Sequence, residues 1–342
     1  MIGTSVSAQI TYWSYETVKN TKNKFKKWRK NMKKLLTLML TGVLVAGTLT
    51  GCGSSNNTGK STTDTKTEST QAADSKSSDS ESDLSGTITA AGSSALKPLV
   101  DDAANSFIKD NPNVSITVDA GGSGEGLKQV AEGTVTIGNS DVAAADKLDA
   151  DKAKDLVDHQ VCVITMAPIV NQDVKDGGVK SLTTDQLIAI FTGKTTNWKD
   201  VGGPDEKIVL VTRPDSSGTR AVFTKYALNG NKEASNTSME TDDSGVLLQN
   251  VKDTKGAIGY VALSYLTGKV GVATVSIDGV EPTLENTYSG KYKVWSFEHM
   301  YTKGEAKDAT KSFLDYITSD KYGSNMEKLG YGVASKMTVK TH

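Results

Sequence analysis

Histidine and cysteine are scarce in this 342-residue chain, three of the one and two of the other. His159, His299 and His342 are dispersed and lie outside the polar turns described below. The chain therefore shows neither a base placed to activate a nucleophile nor a cluster to hold a metal, which disfavours hydrolytic chemistry. Cys162 sits in the apolar run VCVI (161–164) and reads as a small core residue rather than a disulfide partner. Positive charge is missing from most of the chain. Residues 1–51 hold nine Lys/Arg against one acid, Glu16, leaving thirty basic and thirty-nine acidic side chains, a net of −9, for residues 52–342. That balance excludes a nucleic-acid partner, which needs a concentrated basic face. Any bound anion must be held by specific local donors against the overall field. No internal repeat is found. The glycines of GGSGEG (121–126) miss the dinucleotide-binding register, and no Lys-Ser or Lys-Thr follows a G-x-x-x-x-G run. No cofactor is implied.

What is present begins with a targeting signal. Lys33 and Lys34 precede LLTLMLTGVLVAGTL (35–49), too short to favour a transmembrane span and well proportioned for a signal-peptide core. The stretch closes on LTGC, which resembles the lipobox of bacterial lipoproteins and marks Cys52 as the lipidated N-terminus of the mature protein. Lipid on Cys52 would hold the protein to the outer face of the cell membrane by buried methylenes, without a spanning helix. Met32-Lys33-Lys34 has the form of a natural start, so residues 1–31 read as an upstream extension of the 1–51 signal region. Residues 53–83 contain almost no large apolar side chains. With Cys52 they read as a flexible Ser/Thr-rich tether, 52–83, because they cannot bury enough surface to offset their ordering entropy.

From Leu84 onward strand and helix signals alternate. Strands are expected at 87–91, 114–120, 134–138, 161–170, 207–212, 257–262 and 293–302, and helices at 95–110, 125–133, 182–193, 217–228 and 306–320. This alternation predicts an α/β protein with a mixed sheet. Three of the junctions share one design: AGSSALKP (91–98), GGSGEGLK (121–128) and RPDSSGTR (213–220) each follow a strand and open a helix with serine beside glycine or a small residue. A helix N-terminus offers unpaired N–H groups and the positive end of a dipole, and glycine lets an oxyanion approach the backbone. Any one of these serines alone is explained as a helix cap. Three converging termini would make a receptor for a small tetrahedral oxyanion. Asp141 in IGNSDVAAAD (137–146) is either another cap or an acceptor facing that anion. In the second case the ligand must bring a proton, because a carboxylate has none to give. Protonated phosphate meets that demand and sulfate does not.

Together these residues resemble the phosphate-binding-protein (PstS) family of bacterial ABC phosphate importers. The likeness covers residues 84–342 and is carried by AGSSALKP, GGSGEGLKQVAEGTVTIGNSD, IFTGKTTNWKDVGG (190–203), RPDSSGTR and GAIGYV (256–261). It implies a two-lobed type II periplasmic-binding-protein fold with two crossover strands, near 161–168 and 293–302. Lobe 1 would be 84–165 plus 296–342, and lobe 2 would be 166–295. By the same likeness Ser94, the N–H of Ala95 and Ser123 hold phosphate oxygens from lobe 1, and Asp141 accepts the ligand's proton. Arg213 supplies the positive charge from lobe 2, with Ser217, Gly218 and Thr219 as helix-terminus donors and Asp215 bracing the guanidinium, a role compatible with its plain reading as a turn-forming aspartate. Arg220 has no assured role: it could reach the ligand or Asp141, and the favoured expectation is that it lies on the helix surface. Trp198 is expected to pack rather than to touch ligand. The implied activity is capture of inorganic phosphate outside the cytoplasm, as a monomer, for delivery to an ABC permease, with no catalytic residue. The rival readings are a receptor for sulfate, molybdate or another oxyanion, a secreted phosphoesterase, and a sensory or adhesive surface lipoprotein.

Overall fold

The computed structural model describes residues 84–234, 238–268 and 270–339. The signal region, Cys52, the tether and His342 lie outside the described residues. The strands are β1 (Gly86–Gly92), β2 (Val114–Ala120), β3 (Ile137–Ser140), β4 (Leu156–Asn171), β5 (Ser181–Leu182), β6 (Val209–Thr212), β7 (Ser238–Glu240), β8 (Ala257–Ala262), β9 (Val272–Thr274), β10 (Ser276–Ile277) and β11 (Trp295–Lys303). The longer helices are α1 (Lys97–Asp110), α2 (Ser123–Glu132), α3 (Thr184–Phe191), α4 (Gly218–Tyr226), α5 (Ser244–Asp253) and α6 (Asp308–Ile317).

The main sheet runs β2-β1-β3-β11-β4-β8-β6-β7, with β9 also on β4, and β5 pairs β10 separately. β1 is parallel to β2 and β3, while β11 is antiparallel to β3 and β4. β4 serves two neighbourhoods. Leu156 to Thr165 pair with β11, and Met166 to Val170 pair with β8, both antiparallel. On that far side β6 lies parallel to β7 and β8. The expected strand at 134–138 begins instead at Ile137, because the Thr134 N–H still bonds to Gln129 O around the left-handed Gly133 cap of α2.

Two large apolar clusters flank the sheet. One gathers Ile88, Leu99, Val100, Phe107, Ile137, Met300 and Phe313, and the other Leu187, Phe191, Trp198, Phe223, Ile258 and Tyr260. α1 reaches the first because Leu99, Val100, Ala103, Ala104 and Phe107 recur on one helical face. α3 enters the second from a capping box, in which Thr183 accepts from the Gln186 N–H and Gln186 accepts from the Thr183 N–H. Trp198 is fully buried and donates to Gly256 O at 2.9 Å, a packing role as expected. Cys162 is a buried free thiol on β4, and burial pushes its pKa up.

The polar turns sit at the carboxyl ends of parallel strands: AGSS after β1, GGSG after β2, RPDSSGT after β6. That edge is where open α/β sheets expose helix N-termini to a ligand.

Candidate functional site

Close approach of backbone brings the turns together. A Cβ on Gly126 of α2 would lie 2.5 Å from both Ala91 O and Gly92 Cα, so glycine there seats α2 against β1. A Cβ on Gly218 would lie 2.1 Å from Ser123 Oγ and 3.0 Å from Asp141 Cβ. The first residue of α4 thus rests on the first residue of α2 and on the segment after β3. Gly124 N–H donates to Ser216 O at 3.1 Å across the same junction.

The side chains knit the junction further. Ser123 Oγ accepts from the Asp141 N–H at 3.0 Å, and Asp141 Oδ2 accepts from Thr219 Oγ1 at 2.5 Å. Asp141 is buried, and its Oδ1 has no partner among the described residues. Ser217 caps α4 by accepting from the Arg220 N–H at 3.3 Å. Ser94 Oγ donates to Asp242 O at 2.8 Å and lies 3.0 Å from Ser244 Oγ. Ala95 is fully buried, with its carbonyl held by Tyr331 Oη at 2.6 Å.

Arg213 is fully buried at the end of β6. Its Nη2 donates to Ser244 Oγ at 2.9 Å and its Nη1 to Asp242 O at 3.1 Å, and the guanidinium lies over the Tyr260 ring. Asp242 Oδ1 stands 3.9 Å from Nη1. The Asp242 carboxyl is pushed up mainly by burial, opposed by a Ser217 hydrogen bond and by Arg213.

Two expectations are corrected here. Asp215 does not brace Arg213: its side chain is exposed and pairs with Arg220 at 3.3 Å, because the turn from Pro214 to Ser217 directs it outward. The brace comes from Asp242 and Ser244. Arg220 is not a surface residue. It is mostly enclosed, donates to the Arg213 carbonyl, and pairs with Asp215 and with buried Glu233 at 3.7 Å. Burial pushes the Glu233 carboxyl up to about 7, although Tyr260 Oη donates to it at 2.7 Å and Arg220 stands beside it.

Ser94, Ser123, Asp141, Arg213, Ser217, Gly218 and Thr219 therefore share one connected, buried cluster, with Ala95 next to Ser94 on its edge. The residues missed in the sequence are Asp242, Ser244 and Lys147. Ser244 begins α5 behind an Asp243 cap, so TDDSG (241–245) is a fourth turn of the same serine-glycine kind. That repetition was the available signal. Lys147 gave none, as one lysine in a charged run. Its Nζ donates to Asp215 O at 2.7 Å and Ser217 O at 3.1 Å, and burial lowers its pKa against the pull of Asp242, Asp215 and Asp141. The cluster offers the Arg213 cation, hydroxyls, helix N-termini and the Asp141 carboxylate as an acceptor, a set suited to a small oxyanion that carries a proton.

Known proteins share this sequence and shape. A PBP superfamily domain model matches residues 61–321. The phosphate-binding protein PstS of Bacillus subtilis is 48% identical over 292 residues, 85% of this chain and 90% of that protein. The crystal structure of a putative phosphate ABC transporter substrate-binding protein from Clostridium perfringens, with bound phosphate, superposes at a TM-score of 0.66. It is 32% identical and spans 72% of this chain and 99% of its own. An ABC-type phosphate transport receptor from Vibrio cholerae superposes at 0.57 with 26% identity, over 72% of this chain and 99% of its own.

Proposed function

Because this chain belongs to the phosphate-binding (PstS) family of the PBP superfamily, we propose that it captures inorganic phosphate in the cluster around Arg213 and Asp141. It is the extracytoplasmic receptor of an ABC phosphate transporter, a binding protein and not an enzyme. The observation that carries the site assignment is the enclosure of the Arg213 guanidinium and the Asp141 carboxylate in the same hydrogen-bonded cluster, Arg213 through Ser244 and Ser94, Asp141 through Thr219. Arg213 and the donors of Ser94, Ala95, Ser123, Ser217, Gly218 and Thr219 attract any tetrahedral oxyanion. Asp141 accepts the proton of phosphate and repels an anion that has none. An acceptor left unpaired in a dry site costs about 1–3 kcal/mol, and more when it is charged, so the rejection of sulfate is steep.

The lobes are assigned as 84–165 with 296–342, and 166–295. The change of β4 partners between Thr165 and Met166 supports that boundary. Lipid on Cys52 would tether the monomer to the membrane near its permease. Calorimetric titration with phosphate and with sulfate at matched pH tests the reading: phosphate binds strongly and sulfate weakly, and a preference for sulfate or molybdate would overturn it.

A further inference from the structure

One buried acid is not used by the site as described. Glu298 on β11 is fully buried, and neither of its carboxyl oxygens is met by an N–H or hydroxyl donor among the described residues. β3 ends at Ser140, whose partner on β11 is His299, so Asp141 and Glu298 are the residues that immediately follow and precede that last pair. On its other flank Glu298 pairs with Cys162 of β4. Opposed residues of antiparallel strands share a face, so Cys162 and Glu298 lie side by side on one face of the sheet. Both Glu298 carboxyl oxygens and Asp141 Oδ1 are thus buried without a donor among the described residues, and the two carboxyls are near enough for Asp141 to push the Glu298 carboxyl up.

Two carboxyl groups in contact in a dry interior do not both ionise. The surroundings decide which keeps the proton. Asp141 accepts from Thr219, and the N-termini of α2 and α4 meet beside it, with Arg213 in the same network. The titratable groups facing Glu298 are Asp141 from the segment after β3, Cys162 from β4 and Tyr331 from the C-terminal segment. Burial pushes the thiol and the phenol up and keeps both neutral. Burial first, and Asp141 second, push the Glu298 carboxyl well above the usual carboxylate range.

We propose that Glu298 is a neutral carboxylic acid whose O–H donates to Asp141 Oδ1, making it a positioning and specificity residue that fixes Asp141 as an ionised acceptor. The pair then holds one proton and one negative charge. A neutral donor suits the task. It gives Asp141 Oδ1 a hydrogen-bond partner without adding a positive charge that would draw sulfate in. Without it that buried oxygen would lack a donor, and the carboxylate would be less firmly held to accept from phosphate. The inference rests on the reading of Asp141 given above, but its first test does not. In the full-length protein without added anion, at a mildly alkaline pH where Glu233 has released its proton, the infrared C=O stretch of a protonated carboxyl should be present and vanish in Glu298→Gln. Its absence from the wild type would overturn the proposal whatever the protein binds.

Titrations with inorganic phosphate and sulfate, from mildly acidic to mildly alkaline pH, supply the second test. Glu298→Gln keeps a neutral donor and should bind phosphate within about threefold of wild type. Glu298→Leu should weaken phosphate by roughly tenfold or more and relax the rejection of sulfate. Equal damage from both substitutions, or unaltered phosphate affinity and sulfate rejection in Glu298→Leu, would overturn the proposal. A wild type that carries the infrared band yet ignores phosphate would sink the phosphate reading alone.

Discussion

Asp141 is the residue on which selectivity turns. Its Oδ2 takes a short hydrogen bond from Thr219, which aligns the carboxylate and leaves its remaining lone pairs for a ligand hydroxyl. Asp141→Asn replaces an acceptor-only group by one that also donates. Phosphate affinity should fall roughly tenfold or more and sulfate affinity should rise, as read by paired titrations; unchanged selectivity would remove Asp141 from the site. Glu233 makes a different prediction, about stability. Burial raises its carboxyl to about 7 from an ordinary value of 4.5. The folded protein therefore holds a proton there that the unfolded chain has released, and stability falls as pH climbs from about 4.5 to about 7. Glu233→Gln removes that slope. Melting temperatures across this range should show the variant gaining on wild type with rising pH, by an amount on the order of 2–3 kcal/mol at the top.

Among the elements, α4 depends on contact between helix ends. Gly218 is its first residue, and an added Cβ would collide with Ser123 and Asp141. Gly218→Ala costs little in helix propensity at such a position, yet it forces the ends of α2 and α4 apart. Overpacking of this kind costs about 1–3 kcal/mol. Phosphate affinity should drop by a similar factor while the far-ultraviolet circular dichroism stays native. Retained affinity would show that the two helix ends need not touch for binding. The helix starts were legible because serine beside glycine after an apolar run is a local signal, and it foretold α1, α2 and α4 near their observed bounds. α5 was overlooked although Ser244-Gly245 repeats the sign, since β7 before it is only three residues long and gives no strand pattern. The partners of Arg213 could not be read locally. Asp215 stands two residues away in sequence and points out, whereas Asp242 and Ser244 arrive from a distant turn. Glu298 lay hidden because its strand alternates polar and apolar residues, and alternation alone does not say which face is inward.

In the molecule as a whole, contacts that link the segment after β3 to the turn before α4 bear on how fast ligand leaves. Lys147 makes two such contacts, to Asp215 O and Ser217 O, from a partly exposed position. Lys147→Met should leave the association rate little changed and speed phosphate release roughly three- to tenfold in stopped-flow experiments. A slower association with unaltered release would assign Lys147 to electrostatic steering instead. β4 imposes a constraint of another kind. Its 16 residues belong to two neighbourhoods at once, β11 on one side of Thr165 and β8 on the other. Side chains alternate faces along a strand, so losing one residue in its middle turns over every side chain of one half relative to the other. Both cores cannot then be filled. Volume-conserving apolar substitutions within 161–168 should still fold while a single-residue deletion there abolishes folding, and a deletion in the exposed 149–155 segment should not. The number of residues in this strand is thus itself part of what joins the two cores.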